Sequence, residues 1–99
     1  LLTAEEFNAR EAYRIGLVQE VVPAGSQLER AIEIAERIAS LAPLAVQATK
    51  ASARRAVYEG IEACISALEP TQATLIANED AQEGVNSFVE RRDAVFKGK

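Results

Sequence analysis

The sequence predicts an all-α chain with one short extended stretch near residues 17–22, and three observations carry that prediction. Helix-start chemistry recurs at Asn8, Ser26, Pro43 and Asn78. Behind each of these starts the apolar residues return at helical spacing. β-Branched character concentrates in Leu17 to Val22, a run that ends at Pro23 and reads as extended. An isolated strand needs a partner and the chain offers no second one. Either the partner lies outside these residues or the segment is an extended connector.

The elements follow in order. Leu1-Leu2-Thr3 is an apolar opening that looks cut from something larger. Asn8 with Glu11 resembles a capping box, and Phe7 can pack on Ala12 as a hydrophobic staple. That short helix runs through Tyr13 and Ile15 to Gly16, the residue type expected just past a helix end. Pro23-Ala24-Gly25 is a turn, and Ser26 with Glu29 makes a capping box for a helix from Gln27 to Leu41. Leu28, Ala31, Ile32, Ala35, Ile38 and Ala39 mark the face that this helix should bury.

Pro43 is suited to the first position of a third helix, Leu44 to Tyr58, which is alanine-rich and carries Lys50 and Arg54 one turn apart. Glu59-Gly60 marks a bend, after which Ile61, Ile65 and Leu68 resume a helical period. Pro70 should kink or interrupt that helix, at about 3 kcal/mol in an unbroken interior. Asn78 caps the last helix, Glu79 to Arg92, with Glu79, Asp80 and Glu83 beside the positive end of its dipole. Arg91 and Arg92 fall in its last turn, where cations are favoured. Gly84 interrupts the pattern and asks for a close approach by another backbone or a bulky group. The tail Asp93 to Lys99 has no helical period and sets Val95 and Phe96 among lysines.

Composition narrows the function classes. A chain of 99 residues suits one small domain, and such a chain buries about 60–65% of its unfolded surface. Much of the 48% apolar content is alanine, so a large self-sufficient core is not expected. The chain begins at Leu1 and contains no methionine, which reads as a fragment or processed product. The net charge of −4 argues against general nucleic-acid binding. No run of membrane-spanning length and no signal-like opening argue for insertion or secretion, and the expected location is the cytoplasm. The single Cys64 cannot form an internal disulfide. Charge is blocked along the chain: Glu59 to Glu83 has six acids and no base, and Pro43 to Tyr58 has three bases and no acid. Such blocks are expected to pair helix against helix.

The residues that could carry chemistry give no complete set. Cys64 has no histidine anywhere in the chain to activate it, and reads as a buried inert thiol. Lys50, Arg54 and Arg55 could bind an anion, but pairing with the acidic stretch is the simpler role. The neighbours Glu5-Glu6 and Glu79-Asp80 do not face each other on a helix, and read as caps and solubility. No metal-ligand spacing is present, no residue reads as catalytic, and the chain alone should not be an enzyme.

The pieces LLTAEEFNAREAYRIGLVQEVVP, LAPLAVQATK and NEDAQEGVNSFVERRDAVFKG stand in this order. Together they resemble the C-terminal third of the crotonase superfamily, the enoyl-CoA hydratases and isomerases. Three positions depart from the family pattern: Ala4 where glycine is frequent, Pro70 within a usually continuous helix, and Asp93 where proline is common.

The resemblance implies that residues 1–99 are the C-terminal helical, trimerisation region of a crotonase-like protein. An N-terminal catalytic domain of ββα repeats, absent from this sequence, would carry the oxyanion hole and the acid/base residues. The implied activity of the whole is hydration of trans-2-enoyl-CoA in fatty-acid or related acyl-CoA metabolism. Isomerase, dehydratase and acyl-CoA hydrolase activities are alternatives within the family, and a stand-alone helical interaction module is the alternative outside it. Implied partners are the protein's own N-terminal domain, an acyl-CoA thioester, and further copies in a trimer or dimer of trimers. No separate cofactor is implied, since coenzyme A is part of the substrate. Phe96 and Lys97 match a Phe-Lys pair that lies near the adenine and phosphates of CoA in several relatives. Anchoring of the tail by Phe96, and plain solvation of Lys97, are the competing roles.

Overall fold

A computed structural model describes residues 2–99; Leu1, the first residue of the apolar opening, lies outside them. Five helices follow in order: α1 (Ala9–Arg14), α2 (Gln27–Ala39), α3 (Pro43–Tyr58), α4 (Ile61–Ile76) and α5 (Glu79–Glu90). The chain forms two compact units, Leu1–Ile34 and Ala35–Lys99.

In the first unit, the Asn8 side chain accepts the Glu11 N–H at 3.0 Å and caps α1 as its position predicts. The other end closes on Gly16 at φ 75°, with the Gly16 N–H on the Tyr13 carbonyl and the Leu17 N–H on the Ala12 carbonyl. This is the paired closure that a left-handed residue permits. It also explains why residues 17–22 form no strand: the Leu17 and Val18 N–H groups both turn back onto Ala12. Among the described residues there is no strand at all, and the stretch is a connector. At the start of α2 the Gln27 side chain accepts the Gly25 N–H at 2.9 Å. Arg30 then ties α2 back to the connector through Glu20, and also pairs with Glu33.

The apolar stripe of α2 is not buried. Leu28 is 69% exposed, Ile32 49% and Ile38 47%, and α2 contains no buried residue. The amphipathic pattern is real, but its large apolar side chains stay exposed among the described residues.

In the second unit, Pro43 opens α3 and Gly60, at φ 92°, separates α3 from α4. The two helices pack side by side through small residues, with Ser52 and Ala56 of α3 and Cys64 and Ala67 of α4 half-buried. Cys64 Sγ approaches the Ser52 carbonyl oxygen at 3.6 Å across this seam. The thiol is therefore half-buried rather than fully enclosed.

The interruption expected at Pro70 does not occur: α4 is helical from Ile61 to Ile76 with Pro70 inside it. A proline forfeits one hydrogen bond and crowds the carbonyl four residues back. Around it the Ser66, Thr71 and Thr74 hydroxyls donate to the carbonyls of Glu62, Ala67 and Pro70. Serine and threonine side chains that bond back in this way accommodate bending without ending a helix. The charge blocks also behave locally. Arg55 pairs with Glu59 one turn on, at 3.5 Å, and no ion pair among the described residues joins two helices.

Candidate functional site

The densest polar arrangement lies where the tail folds back along α5. Asn78 caps this helix, its side chain accepting the Ala81 N–H at 2.8 Å. α5 ends at Glu90, two residues earlier than its charge pattern predicts. Arg91 takes a left-handed conformation, φ 54° and ψ 43°, and its N–H and that of Arg92 close on the Phe88 and Ser87 carbonyls. Arg91 and Arg92 thus sit beyond the helix rather than in its last turn.

Arg92 turns back instead. Its guanidinium grips Glu83 with both terminal nitrogens, Nη2 to Oε2 at 2.9 Å, and its Nε reaches Glu90. Glu83 Oε1 also accepts the Val95 backbone N–H at 2.8 Å. The Arg92 hydrogen bonds, followed by the Val95 N–H, hold the Glu83 carboxyl down at about 2 against an ordinary 4.5.

One turn earlier on α5, Asp80 does for the tail what Glu83 does for its start. Its Oδ1 accepts the Lys97 N–H and its Oδ2 the Gly98 N–H, both at 2.7 Å. The Asp80 N–H in turn donates to the Lys99 carbonyl at 3.2 Å. Asp80 is only 3% exposed, which corrects the reading of Glu79-Asp80 as caps and solubility. Burying a carboxylate is costly unless its oxygens are satisfied, and here both are.

These bonds place the two residues singled out in the tail. Phe96 is half-buried, and its ring comes within 3.9 Å of where a side chain on Gly84 would begin. That is the bulky neighbour which a glycine inside α5 anticipates. Gly98, at φ 74°, lies against Pro43 at the start of α3, where an added Cβ would meet the proline ring in van der Waals contact at 3.6 Å. Lys97 is exposed and lines a shallow groove of about 260 Å³ with Glu79, Asp80, Gln82, Glu83 and Asn86. Phe96 and Lys97 therefore stand together on one fixed segment, while Lys50, Arg54 and Cys64 belong to the α3–α4 pair and do not join them. Sequence reasoning missed Asp80 and misread Glu83. The signal that could have found them is the bare backbone of the tail, whose N–H groups need acceptors.

The profile of the enoyl-CoA hydratase/isomerase family matches residues 1–99. The chain belongs to that family. It is 38% identical over 99 residues to the crotonyl-CoA hydratase of Syntrophomonas wolfei, covering 100% of this chain and 38% of that protein. It is 35% identical over 103 residues to the carnitinyl-CoA dehydratase of Salmonella heidelberg, covering 100% of this chain and 40% of that one. Among solved structures, a probable enoyl-CoA hydratase/isomerase from Mycobacterium abscessus superposes with a TM-score of 0.95 at 51% identity. That superposition takes in 99% of this chain and 38% of the other. The family chain thus spans about two fifths of the length of these relatives, and its helices are those of the crotonase-type fold. No helix among the described residues is long and apolar enough to cross a membrane.

Proposed function

We propose that this chain is the C-terminal region of an enoyl-CoA hydratase, serving to assemble subunits and to complete the CoA pocket. The observation that carries the proposal is a match of this whole chain to a hydratase, a dehydratase and a probable hydratase/isomerase over only about 38–40% of their length. With that match goes a helix, α2, whose apolar stripe stays exposed among the described residues. Such a stripe suits the remainder of the protein or a neighbouring subunit in a trimer or dimer of trimers. The tail, fixed on α5, offers Phe96 to the adenine and Lys97 to the phosphates, where an ammonium acts as a point charge.

In the proposed reaction, water adds across the C2–C3 double bond of a trans-2-enoyl-CoA, hydroxyl to C3 and proton to C2. The thioester oxygen gathers negative charge and is stabilised by backbone N–H donors. Those donors and the acid/base residues belong to a preceding catalytic domain, so this chain alone is inactive. The substrate carries its own coenzyme A, no further cofactor is required, and the protein works in the cytoplasm. A second reading, dehydration of a 3-hydroxyacyl-CoA, is favoured by the match to carnitinyl-CoA dehydratase and runs the same step in reverse.

The test is a crotonyl-CoA hydration assay, following loss of the conjugated-enoyl absorbance, on the full-length protein and on this chain side by side. Activity in the full-length protein alone is expected. Activity in neither sinks the hydratase reading and turns attention to dehydratase substrates, and activity in the isolated chain overturns the placement of the chemistry outside it.

A further inference from the structure

The tail after α5 has no regular structure of its own, so its backbone N–H groups must find acceptors elsewhere. Three of them, at Val95, Lys97 and Gly98, find carboxylates on one face of α5. An acid in the first turn of a helix complements the dipole while fully solvated, so that role does not explain why Asp80 is 3% exposed. Nor does a cation explain it, since each Asp80 oxygen is taken by a backbone N–H. Bonds to consecutive N–H groups fix the direction of the chain at Lys97 and Gly98. They therefore fix where the side chains of Phe96 and Lys97 leave it.

We propose that Asp80 and Glu83 are positioning residues that hold the tail preformed, so that Phe96 and Lys97 meet the CoA moiety without an ordering cost at binding. This rests on the reading of Phe96 and Lys97 as CoA contacts. Glu83 sets the start of the segment through Arg92 and Val95, and Asp80 sets its end through Lys97 and Gly98. A ligand that needs a preset segment binds more weakly in inverse proportion to the fraction of molecules in which the segment is held.

The experiment uses the full-length protein with Asp80→Asn, Glu83→Gln and Lys97→Ala. KM and kcat are measured with a CoA ester and with the matching pantetheine ester, and amide exchange is followed at Val95, Lys97 and Gly98. If release lowers the held fraction to about one tenth, Asp80→Asn raises KM for the CoA ester about tenfold. The value of kcat and the pantetheine ester's KM stay unchanged, and exchange at Lys97 and Gly98 speeds up. Should Asp80→Asn fail to fold, Glu83→Gln carries the same expectation with faster exchange at Val95. Faster exchange with an unchanged KM, or an equal rise for both esters, overturns the positioning role. A selective loss in Lys97→Ala with none in Asp80→Asn also overturns it and leaves the CoA contact standing. No selective loss in Lys97→Ala overturns the CoA contact itself, and the positioning role with it.

Discussion

Among the described residues, two that are not glycine take a positive φ: Ala4 at 55° and Arg91 at 54°. At Ala4 a Cβ in this conformation meets the following carbonyl at a cost of roughly 1–2 kcal/mol. Arg91 closes α5 with the same pair of backbone bonds by which Gly16 closes α1. Arg91→Gly in the full-length protein should therefore raise stability by about 0.5–1 kcal/mol, after glycine's extra flexibility in the unfolded chain is deducted. The check is the thermal midpoint: an increase fits, whereas a decrease would show that the Arg91 side chain makes a bond worth more than the strain. At this scale the sequence was readable wherever the chemistry is local. Asn8 and Asn78 cap as expected because each acceptor lies three residues from its donor. Asp80 was not readable, since its partners lie 17 and 18 residues away and no periodicity points to them.

Among the elements, α3 and α5 begin where their Pro43 and Asn78 signals put them, and α4 defies its own proline. Around that proline the Ser66, Thr71 and Thr74 hydroxyls bond back to carbonyls of the same helix, an arrangement that tolerates bending without ending it. The fold-back of the tail on α5 is an element-scale device with a pH limit. Glu83 is held at about 2 in the folded chain against 4.5, so its contribution is present above about 4.5 and is lost as pH falls through 2. Protection of the Val95 amide should thus be level from neutrality down to that upper value and then decay. Hydrogen exchange across an acid titration measures it. Decay that began near neutrality would mean that another group holds the tail. Glu83→Gln should abolish the acid step, since a neutral amide has no proton to gain in this range.

Large apolar side chains stay exposed along several helices: Leu28, Ile32 and Ile38 of α2, Val57 and Tyr58 of α3, and Phe88 and Val89 of α5. The apolar periodicity was readable in the sequence, but its destination was not: a stripe on α2 looks the same whether the covering surface is in the same chain or in another. Amphipathic helices gain most of their stability from what they pack against. The isolated 99-residue chain, deprived of that cover, should self-associate or lose fixed packing. Light scattering should give a mass above 10.7 kDa that rises with concentration, or a hydrophobic dye should bind strongly with near-UV dichroism weak. A clean monomer that melts cooperatively would mean that these exposed faces need no partner. It would then favour a stand-alone helical module over a piece of an oligomeric enzyme.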